Sequence, residues 1–293
     1  MPEFNPAKVA SRPFPDVLAS HAESQAIAAV FEAACLAELQ AIKPGNVHIF
    51  ADGHGMVVDD FVKSAQAAAS VIALPGLTVG QRILRAVNAT QDAVGINTNL
   101  GIVLLVAPLI QSALLHVPVH EVLTNLTLED ADYAFRAIVR ASPAGLGNSP
   151  RHDVHDAPKV TLLEAMREAA SRDHVARQYA TDYDDIFNFG LTRYREAYAR
   201  WDSEAWAATA VHLGFMACYP DSHVARKHGE AAAASLRAQA ELHESAFLKC
   251  ENPKNYLADL LRFDAQLKQN HLNPGTSADL TVTTILVASL ENT

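Results

Sequence analysis

Four short segments concentrate the residue types that can do chemistry: 43–60, 95–101, 219–229 and 273–279, each lying where helix-forming runs meet. Gly95-Ile96-Asn97-Thr98-Asn99-Leu100-Gly101 places two side-chain amides and a hydroxyl between glycines, at the mouth of a strongly apolar run. Polar groups at a desolvated junction need partners, so the segment reads as the floor of a site. The plainer alternative is an N-cap at Thr98, with Asn97 and Asn99 completing the turn. His223, Arg226, Lys227 and His228 put four potential cations on adjacent turns of one helix start. They read either as a solvated charged face or as a cradle for an anion. Asp52, Asp59, Asp60, Asp221 and Asp279 are the neighbouring carboxylates. Each reads singly as an N-cap, and together they could hold magnesium, which takes one or two carboxylates plus substrate phosphates. Helix N-termini add amide donors and partial positive charge, which suits phosphate. Neither the Walker signature nor the dinucleotide fingerprint is present.

The elements that must position these residues read as helices. Ile27, Phe31, Cys35, Leu39 and Ile42 form one face of a long helix, with Glu32 and Glu38 off that stripe, and Pro44-Gly45 ends it. A second helix starts at Asp59 or Asp60 and runs to Ile72; Thr78 caps a third that carries Ile83, Val87 and Thr90. The most apolar helix covers roughly 99–115, with a kink expected at Pro108. Thr127 with Asp130 opens a short helix, and Thr161 with Glu164 opens one expected to reach residue 180. Further helices are expected near 183–201 and 203–218, from His223 through an alanine-rich stretch, from Pro253 to Leu272, and over 279–291. The proline-bounded stretch 142–158 is a long loop; its Arg151-His152-Asp153-Val154-His155-Asp156 run reads as a lid carrying polar side chains, with a metal centre as the alternative. No hairpin signal or period-2 strand interrupts the pattern. The expected fold is all-α, roughly ten helices in one compact domain over 21–293, preceded by a proline-rich arm over 1–20.

Composition narrows the function. The 293 residues are 49% apolar and 19% charged with a net charge of −10, which argues against an extended basic surface for nucleic acid or anionic lipid and makes clustered cations informative. The three cysteines, Cys35, Cys218 and Cys250, are far apart and lack metal-ligand spacing, so free buried thiols in a reducing compartment are expected. No apolar run approaches the roughly 20 residues that cross a bilayer, and no export signal is evident, so the expected location is the cytoplasm. The abundance of apolar helix points to self-association as a homodimer.

Several of these segments, in order, resemble the triphosphoribosyl-dephospho-CoA synthase family. Lys43-Pro44-Gly45-Asn46-Val47 is similar to the family's Lys-Pro-Gly segment, and Asp60-Phe61 with Ser64 to the positions that follow it. Thr90 and the 95–101 segment resemble its Thr-x-x-x-x-Gly-x-Asn-Thr core. Pro220-Asp221-Ser222-His223 with Arg226-Lys227-His228-Gly229, and Asn273-Pro274-Gly275 with Ala278-Asp279-Leu280, complete a resemblance over residues 25–290. The chain departs from it where Gly145-Leu146-Gly147 and His152-Asp153 replace a glycine-rich stretch, with Arg172-Asp173 beyond, and where His54 is followed by Gly55 and Met56 without an acidic residue.

The resemblance implies an all-α transferase that moves the triphosphoribosyl group of ATP onto the 2′-hydroxyl of 3′-dephospho-CoA and releases adenine. Such a reaction passes through an oxocarbenium-like transition state. On this reading Lys43, Arg226 and Lys227 hold phosphate, and Asn97, Thr98 and Asn99, with Asn46 and Asn273, orient the nucleotide. Asp52, Asp60, Asp221 and Asp279 are candidate magnesium ligands, with Asp60 and Asp221 also candidate bases. His223 or His228 would protonate the leaving base, because histidine titrates near neutrality. The departures leave two rival readings: the same transfer onto a pterin-like C1-carrier precursor, and a magnesium-dependent nucleotide or ADP-ribose hydrolase. A third, a nucleotide-binding partner without turnover, also fits.

Overall fold

In the computed structural model, which describes residues 20–143 and 151–291, α-helices follow one another along the chain. They are α1 (His21–Gln40), α2 (Val58–Ile72), α3 (Val79–Val94), α4 (Leu100–Leu115), α5 (Val119–Thr124), α6 (Leu128–Ala141), α7 (Leu162–Ala169), α8 (His174–Ala180), α9 (Leu191–Trp201), α10 (Glu204–Cys218), α11 (Ser222–His228), α12 (Glu230–Phe247), α13 (Leu257–Gln269) and α14 (Gly275–Leu290). A π-helical turn, Asp185–Gly190, leads into α9, and a 3₁₀ turn, Pro253–Tyr256, leads into α13. The all-α class is as expected, and no strand occurs among the described residues. The arm over 1–20 lies, except for Ser20, outside them, as does part of the 142–158 loop.

Among the described residues, fourteen α-helices rather than ten arise for local reasons. Asp173 accepts the N–H groups of Val175 and Ala176 at 2.8 and 3.1 Å, so the run expected as one helix from Thr161 restarts as α8. Gly229, at φ 90° and ψ 162°, likewise divides the alanine-rich stretch into α11 and α12. α5 is six residues long, too short for a periodic signal. α14 begins at Gly275, four residues before its expected start, directly after Pro274. The capping boxes at Thr78–Gln81, Thr127–Asp130 and Thr161–Glu164 form.

The core is built around α4, α10 and α14, which are buried on nearly every side. α14 packs on α1, α4, α9 and α10. Its threonines can be buried because the hydroxyls of Thr281, Thr283 and Thr284 donate to carbonyls four residues back, at 2.7, 2.8 and 2.9 Å. A smaller cluster, with Met216, Val224, Leu236, Phe263 and Leu267, joins α10 to α11, α12 and α13. No helix among the described residues is long and apolar enough to cross a membrane.

Pro108 interrupts α4, and the structure supplies what the proline removes. Without an N–H, Pro108 cannot donate to the Leu104 carbonyl; the buried Tyr179 hydroxyl does so at 2.6 Å. The Tyr183 hydroxyl donates to the adjacent Leu105 carbonyl at 2.7 Å. Tyr179→Phe should therefore cost about 1–3 kcal/mol, the penalty of a buried carbonyl without a donor. Pro108→Ala in that background restores a backbone donor and should recover part of the loss. A denaturation double-mutant cycle in which the two changes simply add would contradict this coupling.

Candidate active site

A cavity of about 650 Å³, within the range of small-molecule sites, opens where α1 ends and where α4, α8, α11 and α14 begin. All four polar segments of the sequence reach it: Asn46 and Met56 from the first, 97–101 from the second, His223 and Arg226 from the third, and Asn273, Thr276 and Asp279 from the fourth.

On the α1 side, Glu38 belongs to the last turn of the helix and is 4% exposed. Lys43 is completely buried behind the cavity wall, its ammonium paired with the Glu38 carboxylate and donating to Asn46 Oδ1 at 3.1 Å. Asn46 Nδ2 in turn donates to Asn273 Oδ1 at 2.8 Å. Burial pulls the Lys43 pKa down, opposed by the Glu38 charge, and burial pushes the Glu38 carboxyl up, opposed by Lys43. The loop after Lys43 is anchored from outside the cavity. Asp264 accepts the Gly45 N–H at 2.9 Å and lies 3.0 Å from Lys268 Nζ and 3.4 Å from His48 Nε2. Burial works against its charge, yet these donors keep its pKa below the ordinary value.

The Asn-Thr-Asn turn is both cap and floor. Asn97 Oδ1 accepts the Leu100 N–H at 3.1 Å, Thr98 donates to Ser64 Oγ at 2.6 Å, and Asn99 Nδ2 donates to Thr90 Oγ1 at 2.9 Å. Asn99, not Thr98, is the residue that precedes the first turn of α4. All three line the cavity on a backbone held by interior bonds. One residue further, Gly101 meets Asp279 of α14 so closely that a Cβ there would sit 2.0 Å from the Asp279 carboxylate oxygen. No side chain fits at position 101 while Asp279 keeps this place. Burial pushes the Asp279 carboxyl well above its ordinary pKa; the charges of Asp221, Glu38 and Asp173 add to this, and Arg226 opposes it.

Asp221 has a different position from Asp279. Its Oδ1 accepts the N–H groups of His223 and Val224 at 2.9 and 3.1 Å, and its Oδ2 accepts the Ser277 N–H and hydroxyl, both at 2.8 Å. It is buried and outside the cavity lining. Asp52 accepts the Val58 N–H at 3.1 Å and Asp60 the Val57 N–H at 2.9 Å, both as caps at the start of α2 and both off the cavity wall. The expected ligand set Asp52, Asp60, Asp221 and Asp279 is thus dispersed, because three of its members serve backbone donors at helix starts. Among the described residues no group of three or more histidine, cysteine or carboxylate side chains could hold a metal ion by itself, the His152–Asp156 segment included.

His223 reaches the cavity, with its Nδ1 near Gly275. Burial lowers its pKa; Asp221 opposes this, while Arg226, Lys227 and His54 add to it, so the ring is neutral at pH 7. His228 and Lys227 are exposed and do not line the cavity; His228 Nε2 is 3.0 Å from the His271 carbonyl oxygen. Lys43, expected on phosphate, is likewise not exposed to the cavity.

The charged lining residues Glu38, Glu168, Arg172, Asp173 and Glu230 were not anticipated as site groups, and Arg151 was expected only within the lid segment. Arg226 Nη1 lies 3.4 Å from Asp173 Oδ2, and Arg151 lies 3.7 Å from Glu168. Arg151, Arg172 and Arg226 give the cavity three guanidinium groups from separate segments. The signal for Asp173 was available as a helix-capping residue inside a run read as continuous helix. Glu38 carried only a weak one, an acidic residue near the buried face of α1.

Comparison with known proteins agrees with this geometry. The family model for CitG, ATP:dephospho-CoA triphosphoribosyl transferase, matches residues 24–293. No curated protein matches the sequence. A crystal structure from Archaeoglobus fulgidus, provisionally assigned as a triphosphoribosyl-dephospho-CoA synthase, superposes with a TM-score of 0.62 at 23% identity, covering 80% of this chain and 98% of that one, and so shares the fold. Fold, converging motifs and family model together place the chain in the ATP:dephospho-CoA triphosphoribosyl transferase family, enzymes that use ATP and dephospho-CoA for triphosphoribosyl transfer.

Proposed function

We propose that the enzyme transfers the triphosphoribosyl group of ATP onto the 2′-hydroxyl of 3′-dephospho-CoA and releases adenine. The observation that carries this reading is the cavity itself. Three arginines line it together with a carboxylate, Asp279, whose raised pKa suits it to accept a proton. The acceptor oxygen forms a bond to the anomeric carbon of the ATP ribose. The bond from that carbon to adenine breaks, its electron pair leaves on the base, and a proton taken up from solvent completes neutral adenine. The hydroxyl proton passes to Asp279. Arg151, Arg172 and Arg226 are placed to hold the triphosphate, for which planar guanidinium groups are well matched. The Asn97–Asn99 floor orients the ribose, with Asn46 and Asn273 beside it. His223, as a neutral ring, can donate one hydrogen bond to the departing adenine but brings no net charge.

Magnesium fits this site as a companion of the triphosphate rather than as a resident of a protein cage. Asp173 would contribute through its Oδ2, which faces Arg226, because its Oδ1 already caps α8, and Asp279 is left to proton transfer. Bound there, magnesium would neutralise phosphate charge.

The direct test is mass-resolved product analysis with ATP, magnesium and dephospho-CoA, and a control without acceptor. The expected products are adenine and an adduct heavier by one triphosphoribosyl group. Adenine without an adduct would identify a glycohydrolase, and turnover only with a pterin precursor would move the acceptor to that class.

Asp279→Asn should lower kcat by about 10²–10⁴-fold, the usual worth of a general base. It should not lower the melting temperature, since it retains shape and removes a buried ionisation. Because the folded-state pKa of Asp279 is raised, protonation favours the native state. Wild-type stability relative to the variant should fall as pH rises through that pKa and the difference should vanish at acid pH. Activity runs the other way, with an acidic limb of the kcat profile well above the ordinary carboxylate range. A fully active Asp279→Asn enzyme would remove the base from the mechanism.

A further inference from the structure

A lysine beside a nucleotide site suggests a phosphate ligand, yet Lys43 is 0% exposed and its ammonium is taken by Glu38 and by Asn46. Both partners also line the cavity, from which Lys43 itself is hidden. Glu38 is 4% exposed, and the link runs on from Asn46 to Asn273, also in the wall, at 2.8 Å. A buried ion pair is weak evidence for stability, because apolar residues of like volume often serve as well. Glu38 and Asp279 are two of the carboxylates that line the cavity: burial pushes both pKa values up, but Lys43 opposes this at Glu38, whereas the charges of Asp221, Glu38 and Asp173 add to it at Asp279. Environments that separate two carboxyl groups in this way commonly separate their tasks.

We propose that Glu38 is a second catalytic carboxylate, which steadies the positive charge developing on the ribose, and that Lys43 is a positioning residue that keeps Glu38 ionised and aimed into the cavity. This rests on the ribosyl-transfer reading above. The transition state of such a transfer places cationic character on the anomeric carbon and ring oxygen, and an ionised carboxylate held without reorganisation stabilises it. Lys43 exchanges no atoms in the step; the proton passes to Asp279, and Glu38 stays ionised throughout.

The test is steady-state kinetics on Glu38→Gln, Lys43→Met, Lys43→Arg and the double variant Glu38→Gln/Lys43→Met, with circular dichroism and thermal melts on each. Glu38→Gln should lower kcat by about 100-fold or more, as loss of a preorganised electrostatic group does, with the KM for ATP little changed. Lys43→Met should act in the same direction, with Lys43→Arg recovering part of the loss. The double variant should be no slower than Glu38→Gln alone, since Lys43 acts through Glu38. It removes both charges, so it keeps the fold even where a single change does not, and its kcat decides the matter. Wild-type kcat in the double variant would show a merely structural pair and overturn the proposal. A Lys43→Met enzyme with intact kcat and a KM for ATP raised more than about tenfold would also overturn it, by returning Lys43 to phosphate. If the wild-type enzyme released no adenine with any acceptor, the functional reading and this inference would fall together; turnover in the wild type with an unimpaired double variant would sink this inference alone.

Discussion

Asp221 divides its oxygens between two helices. Oδ1 receives the first free N–H groups of α11, and Oδ2 receives the N–H and hydroxyl of Ser277 in α14. Charge-assisted bonds at helix N-termini are directional, so they fix where α11 lies against α14. Around this fastening, Ser222 Oγ lies 3.0 Å from Thr276 Oγ1 and accepts the His174 N–H at 3.2 Å, which brings α8 to the same corner. Three helix starts thus meet at one point. The cavity side chains they carry, Asp173, His223, Arg226 and Asp279, keep their relative places because a carboxylate outside the cavity holds the backbones together.

The same logic governs the buried charge on the α1 side. Lys43 and Glu38 would cost several kcal/mol each if left alone in the interior, and only the pairing with Asn46 and with one another makes their burial tolerable. Beneath them Asp264 gathers donors from Gly45, His48 and Lys268, so the turn after α1 is fixed from both faces.

Much of this was legible in the sequence, and the pattern of success has physical reasons. Thr78, Thr127 and Thr161 announce helix starts because a capping side chain acts on residues only three positions away. The four polar segments were recognisable as a shared site because amides and charges beside glycine at helix junctions have few local uses. What a charge would pair with was not legible. Lys43 and Asp221 have the residue types of ligands, but Lys43 turns back onto Glu38, five positions earlier and buried with it, and Asp221 finds Ser277, 56 positions away, only through tertiary packing. The breaks at Asp173 and Gly229 were hidden for a related reason. Each lies within a run whose composition favours helix, and the chain bends there because its neighbours bury both halves in different directions.

The place of α14 carries a consequence for how the molecule comes into being. This helix is the last of the described residues, yet it lies at the centre, packed on the first helix and on α4, α9 and α10. It supplies Asp279, and the turn that precedes it supplies Asn273. A chain without α14 therefore lacks the helix on which α1, α4, α9 and α10 all pack. Fragments from interrupted translation would expose the apolar faces of α4 and α10 and lack the machinery of the site. The helix that closes the core is thus also one that furnishes the cavity.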